Sequence, residues 1–143
     1  MPEPTPPRNR TGTSIRIIAV VGLMLAAAFG LASRQSPLSG WPVIGTYGGD
    51  AAWAVAAYAG WRLLCPARSI MMIAVLSLAT AFSVEVSQLI RLEWLDEIRS
   101  TRIGALLLGR GFLWSDLPAY AGGTAVATVV DAIVRHRSCQ RAA

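Results

Sequence analysis

Four apolar stretches, separated by short polar segments, organise this chain. Residues 15–32 form a continuous apolar run. At 1.5 Å rise per residue such a helix is roughly 27 Å long, close to the ~30 Å hydrocarbon core of a bilayer. The pattern therefore predicts a first membrane helix. Residues 33–45 hold Pro37, Gly40, Pro42 and Gly45 and read as a loop. A second helix is expected from about Tyr47 to Leu64, with Asp50 in its first turns and Pro66 ending it. Ala52, Ala56 and Gly60 recur every fourth residue, a small-residue stripe that lets another helix come close.

Ser69 is a predicted N-cap for a third helix over residues 70–90. Ala74, Ser77, Ala81, Glu85 and Gln88 recur at three- and four-residue spacing and share its small, polar face. That spacing points Glu85 into the bundle and away from lipid. Residues 91–102 are polar, with Trp94 as an interfacial anchor. Residues 103–108 are apolar but too short to span, which predicts a re-entrant or interfacial turn ended by Gly109 and Gly111. Ser115 is the predicted cap of a last helix running to about Val134, with Asp116 in its first turn and Pro118 tolerated there. Ala119, Gly123 and Ala127 form a second small stripe.

The expected fold class is an all-α integral membrane bundle of four transmembrane helices, with a short re-entrant or interfacial segment between helices 3 and 4. Residues 1–14, rich in Pro, Thr and Arg, are expected to be a disordered cytoplasmic N-terminus. Residues 15–134 are the membrane domain, and residues 135–143 a basic cytoplasmic tail. Arg8, Arg10 and Arg16 surround the start of the first run, so a cleaved signal peptide is the alternative. Gly30, Leu31 and Ala32 match the small-x-small cleavage pattern poorly, which favours a retained helix.

Composition supports this picture. The chain is 54% hydrophobic and only 15% charged, with a mean hydropathy of +0.49. A soluble domain is usually about 45–50% apolar and about 25% charged. At 143 residues the chain has room for one compact unit. Its net charge of +5 comes from arginines alone, and these are scattered among the connections. A nucleic-acid binder would gather them on one soluble face, so that class is set aside. Cys65 and Cys139 have no metal or redox spacing, and His136 sits between Arg135 and Arg137 as a solvated residue. No metal and no cofactor is expected.

Four spans place both termini on one side, and arginine usually stays in the cytoplasm. With both ends inside, the inner side holds Arg8, Arg10, Arg16, Arg62, Arg68, Arg135, Arg137 and Arg141; the outer side holds Arg34, Arg91, Arg99, Arg102 and Arg110. This bias predicts N-in and C-in. Asp50, Glu85, Gln88 and Asp116 then converge with Arg99, Arg102 and Arg110 in one layer at the outer interface.

The run Tyr47-Gly-Gly-Asp50-Ala-Ala-Trp53, then Val84-Glu85-Val-Ser87-Gln88-Leu89, then Ile98-Arg99-x-Thr101-x-x-Gly104, then Leu108-Gly109-Arg110-Gly111-Phe112-x-Trp114-x-Asp116, then Ala119-Tyr120-x-x-Gly123, resembles domain-of-unknown-function family 2809. The resemblance covers roughly residues 31–130 and implies a small bacterial inner-membrane protein, without implying a reaction. A weaker likeness is to the VanZ-like membrane proteins, linked to glycopeptide-antibiotic tolerance. Glu85, Gln88, Arg91, Asp96, Gly104 and Gly109 match those in kind, whereas Thr101 and Arg102 stand where an asparagine is usual.

Several functions fit the polar set. Buried polar groups can simply pair and fix helix register, at about 1–2 kcal/mol per hydrogen bond. Arg99, Arg102 and Arg110 suit bidentate contacts to the phosphate of an anionic envelope-lipid head group. In a membrane enzyme acting on a lipid-linked substrate, Glu85 or Asp116 would be the acid or base, but no nucleophilic Ser, His or Cys accompanies them. A small-solute transporter would need an oligomer, since no inverted repeat is visible. The expectation favours binding over catalysis: a membrane lipid as ligand, no nucleic acid, and a homo-oligomer or membrane-protein partner left open.

Overall fold

The computed structural model describes residues 10–33, 40–109 and 111–140. The described residues form six helices: α1 (Arg10–Ala32), α2 (Pro42–Leu64), α3 (Ile70–Gln88), α4 (Glu93–Ser100), α5 (Arg102–Leu108) and α6 (Asp116–Gln140). No strand occurs among them.

Three of these helices are long and apolar enough to cross a membrane: α1, α3 and α6. Their outward surfaces carry Val21, Met24, Leu25, Met71, Val75, Phe82, Val126 and Val129, all exposed. An apolar surface of this extent suits lipid and not water. The expected fourth span, α2, is as long as α1 at 23 residues but less apolar. Gly48, Gly49, Asp50, Trp53, Tyr58, Trp61 and Arg62 dilute its hydropathy. Their surroundings explain the dilution, because α2 is the hub of the bundle, packed against α1, α3 and α6.

The packing contacts fix the helix directions. A Cβ added to Gly30 of α1 would lie 3.3 Å from Ala52, and Gly48 faces Ser33. The end of α1 therefore meets the start of α2, and the two run antiparallel. Gly123 of α6 lies against the Ala51 backbone of α2 so closely that any Cβ there would overlap the carbonyl. Here the expected small stripe of the last helix does pack, with Ala119 and Tyr120 buried beside it. On α2 the stripe is split: Ala52 packs on α1, whereas Gly60 has nothing within 4 Å of its would-be Cβ. α3 and α6 are also antiparallel, joined at mid-length by a 3.4 Å Ser77–Thr124 hydroxyl contact; Ser77 also donates to the Ala54 carbonyl at 3.2 Å. The start of α1, the α2–α3 turn and the end of α6 thus share one end of the bundle.

Helix boundaries move at the polar ends. α1 starts at Arg10 and not at the first apolar residue, since a hydrogen-bonded helix propagates through any residues that tolerate its dihedrals. The expected disordered segment 1–14 lies outside the described residues up to position 9. The loop expected over residues 33–45 is shorter, because α2 already begins at Pro42; proline's missing N–H costs nothing in a first turn. Residues 34–39 lie outside the described residues. Ser69 caps α3 as expected, its Oγ accepting from the Met72 N–H at 3.2 Å. α3 stops at Gln88, two residues early. α6 continues through the expected basic tail to Gln140.

The segment between α3 and α6 is neither a plain loop nor a single turn. α4 and α5 form a two-helix corner, with Thr101 as the shared cap. The Thr101 hydroxyl donates to the Ile98 carbonyl at 2.7 Å and accepts from the Gly104 N–H at 3.0 Å. Gly104 sits against the Ile98 carbonyl, where no side chain fits.

Candidate functional site

On α3, Ala74, Ser77, Ala81, Glu85 and Gln88 are buried together, as their spacing predicted. Glu85 and Gln88 end this face one turn apart. Glu85 is 0% exposed and Gln88 7%. Both line a cavity of about 460 Å³, walled by Leu31 at the end of α1, Asp50 of α2, Arg102, Ala105 and Leu106 of α5, and Asp116 and Tyr120 of α6. Gly109 and Gly111 complete the lining. Arg102, Ala105, Leu106 and Gly109 follow the three- to four-residue spacing of one helical face, so the short α5 forms a wall of the cavity. Exposed Arg102 and Gly111 mark its rim.

The floor is polar and only half satisfied. Tyr120 donates to Glu85 Oε1 at 2.7 Å, and Gln88 Nε2 lies 3.4 Å from the same oxygen. Glu85 Oε2 and Gln88 Oε1 are buried without a hydrogen-bond partner. The amide orientation has a cause: reversing it would set the Gln88 oxygen against the Glu85 carboxylate. Gly109, at φ 68°, lies against Gln88 Nε2, so a Cβ there would push the amide aside. This left-handed glycine, ending α5, allows the chain to close over the floor. Trp53 packs edge-on against Tyr120 at 5.8 Å and backs the hydrogen-bonding ring.

The predicted polar set is therefore partly assembled. Asp50, Glu85, Gln88, Arg102 and Asp116 share this cavity. Ser115 donates to Asp116 at 3.2 Å. Arg110 lies outside the described residues. Arg99 is 5% exposed and its fork is engaged elsewhere. It donates to the Ser87 carbonyl at 2.6 Å and the Ile90 carbonyl at 3.2 Å, and pairs with Asp96 at 3.2 Å. In this position Arg99 satisfies carbonyls left open at the end of α3 and ties α4 to it.

Two features escaped sequence reasoning. Tyr120 has an aromatic's usual packing role written into the sequence; only the fold aims its hydroxyl at Glu85. The second is a cluster at the opposite end of the bundle. Arg62, 3% exposed, forms an ion pair with Asp131 of α6. Tyr58 donates to the same carboxylate oxygen at 2.7 Å, Arg135 reaches its other oxygen at 3.3 Å, and Arg62 donates to the Arg68 carbonyl at 2.8 Å. Arg135 also donates to the Pro66 and Arg68 carbonyls. An aspartate inside an apolar run was the available signal, since an intramembrane charge demands a partner. No group of His, Cys, Asp and Glu suited to a metal ion occurs among the described residues.

A family profile described as Protein of unknown function (DUF2809) matches residues 40–124, more than half of the chain. The chain belongs to this family. The DUF2809 region runs from the start of α2 into the first turns of α6. It contains every residue named in the cavity except Leu31, and ends before Asp131 and Arg135. No solved structure matches the chain.

Proposed function

We propose that this protein is a bacterial inner-membrane protein with four spans, N-in and C-in, whose cavity binds the polar head group of an envelope lipid. The fourth span is α2, screened from lipid by its neighbours and so free to carry glycines and a buried arginine. Arginines at the Arg62–Arg135 end would keep that end in the cytoplasm and set the cavity at the outer interface.

The observation that carries the binding reading is the floor: Glu85 and Gln88 both line the cavity, and each carries a buried acceptor oxygen that lacks a partner. Leaving such atoms unmet costs free energy, so the site is shaped for something other than the chain itself. Its volume of about 460 Å³ falls within the ~300–1,000 Å³ of ordinary ligand pockets. Arg102 at the rim, with no hydrogen bond or ion pair to a described residue, supplies a fork for a phosphate. Arg99 is no longer offered to the ligand, because both of its terminal nitrogens are engaged by the Ser87 and Ile90 carbonyls and Asp96. No Ser, Cys or His lines the cavity among the described residues, so the reading is binding without turnover.

Native mass spectrometry of the protein released from its own membrane, beside Arg102→Gln, tests this. A phospholipid retained by the wild type and lost from the folded variant is the expected result. Equal, unselective lipid adducts in both samples would overturn it.

A further inference from the structure

Resting on that reading, we infer that the lipid taken at this site carries a primary ammonium in its head group, seated on Glu85 and Gln88 with its phosphate at Arg102. The argument concerns which atoms are missing. Glu85 Oε2 and Gln88 Oε1 are both acceptors, both buried and both unmet. A phosphate brings acceptor oxygens of its own and would meet them with repulsion. A primary ammonium brings three donors on one atom, enough to serve both oxygens at once.

Charge points the same way. Glu85 and Asp116 line the cavity wall, and Arg102 lines it at the exposed rim. A purely anionic head group would set its charge beside the Glu85 carboxylate at the floor. A zwitterionic one finds opposite charges at two levels: carboxylates around the floor and a guanidinium at the exposed rim. The floor also discriminates among cationic heads. A trimethylammonium has no N–H to give and would leave both oxygens unmet, a penalty that binding sites built on hydrogen bonds impose strongly. Tyr120 does not relieve this, because its hydroxyl is already committed to Glu85 Oε1.

The test uses the full chain in nanodiscs holding equal amounts of phosphoethanolamine, phosphocholine and phosphoglycerol lipids, with retained lipids counted by native mass spectrometry. Phosphoethanolamine lipid should be retained about tenfold over each of the others, a ratio corresponding to one to two good hydrogen bonds. Glu85→Gln should remove that preference while Arg102-dependent retention of phospholipid persists. Gln88→Leu, which deletes the second oxygen without altering the carboxylate, should weaken the preference independently and serves if Glu85→Gln fails to fold. Adding soluble phosphoethanolamine separates a lipid site from a site for the free head group: competition at millimolar concentration would identify recognition by the head alone. Equal retention of phosphoglycerol lipid would overturn the ammonium assignment and leave head-group binding standing. No retained lipid of any kind would overturn both.

Discussion

The two ends of this bundle solve the same problem in opposite ways. Each buries charged groups among apolar helices, where unpaired polar atoms are costly. At the Arg62 end the carboxylate is fully met: Asp131 receives Arg62, Tyr58 and Arg135, and the arginines also tie down the α2–α3 turn, with Arg62 Nε left without a partner. At the Glu85 end the solution is open. Tyr120 and Gln88 meet one carboxylate oxygen, and the remaining acceptors, on residues that line a cavity, have no partner. The Arg62 cluster locks α2 and α6 to the α2–α3 turn, whereas the Glu85 cluster is stabilised less than it could be. A protein tolerates that deficit where another molecule supplies the missing donors.

Stability measurements can break the contrast. Asp131→Ala strands Arg62 in the interior and should cost about 3–5 kcal/mol, as removal of one partner from a buried ion pair does. Reversible unfolding in mixed micelles would measure it, and a loss no larger than that from Glu85→Gln would abolish the distinction between the ends. Gly123→Ala should come next, at about 1–3 kcal/mol, because its Cβ would overlap the Ala51 carbonyl and push α6 off α2. The same unfolding assay reads it, and neutrality would show that α2 and α6 have room to shift.

Smaller effects sharpen the comparison. Tyr58→Phe and Asp131→Asn, combined in a double-mutant cycle, should couple by about 0.6–1.7 kcal/mol. Glu85→Gln should change stability by less than about 1 kcal/mol, since an amide oxygen still accepts from Tyr120 and only one bond is altered. Its cost should rise when phosphoethanolamine lipid is present, because the wild type then gains more linkage stabilisation than the variant. An unchanged difference with and without lipid would place Glu85 in the structural class with Asp131. Arg102→Gln, at an exposed position, should leave the melting temperature unaltered and be visible only in lipid retention.

How far these ends were legible in the sequence differs with the range of the interactions. The shared face of Glu85 and Gln88 followed from helical spacing, and the structure buries both. The Ser69 cap was equally local. Arg99 was legible as a buried-site arginine but not as the partner of α3's terminal carbonyls, because an arginine's reach allows many targets and only the α4 corner selects one. The α4–α5 corner itself depends on a close approach at Gly104 and a left-handed Gly109, which as single letters state that a turn is possible and not which way it goes. The pairing of Arg62 with Asp131 spans 69 residues of chain, and no periodicity links them.

By itself the sequence determined the four long helices and the shared face of Glu85 and Gln88, because hydrogen bonding along a helix and transfer into lipid are properties of local stretches. Only the tertiary structure decided which polar groups are satisfied. Satisfaction depends on where a second helix places a donor within about 3 Å, and that distance is set by packing.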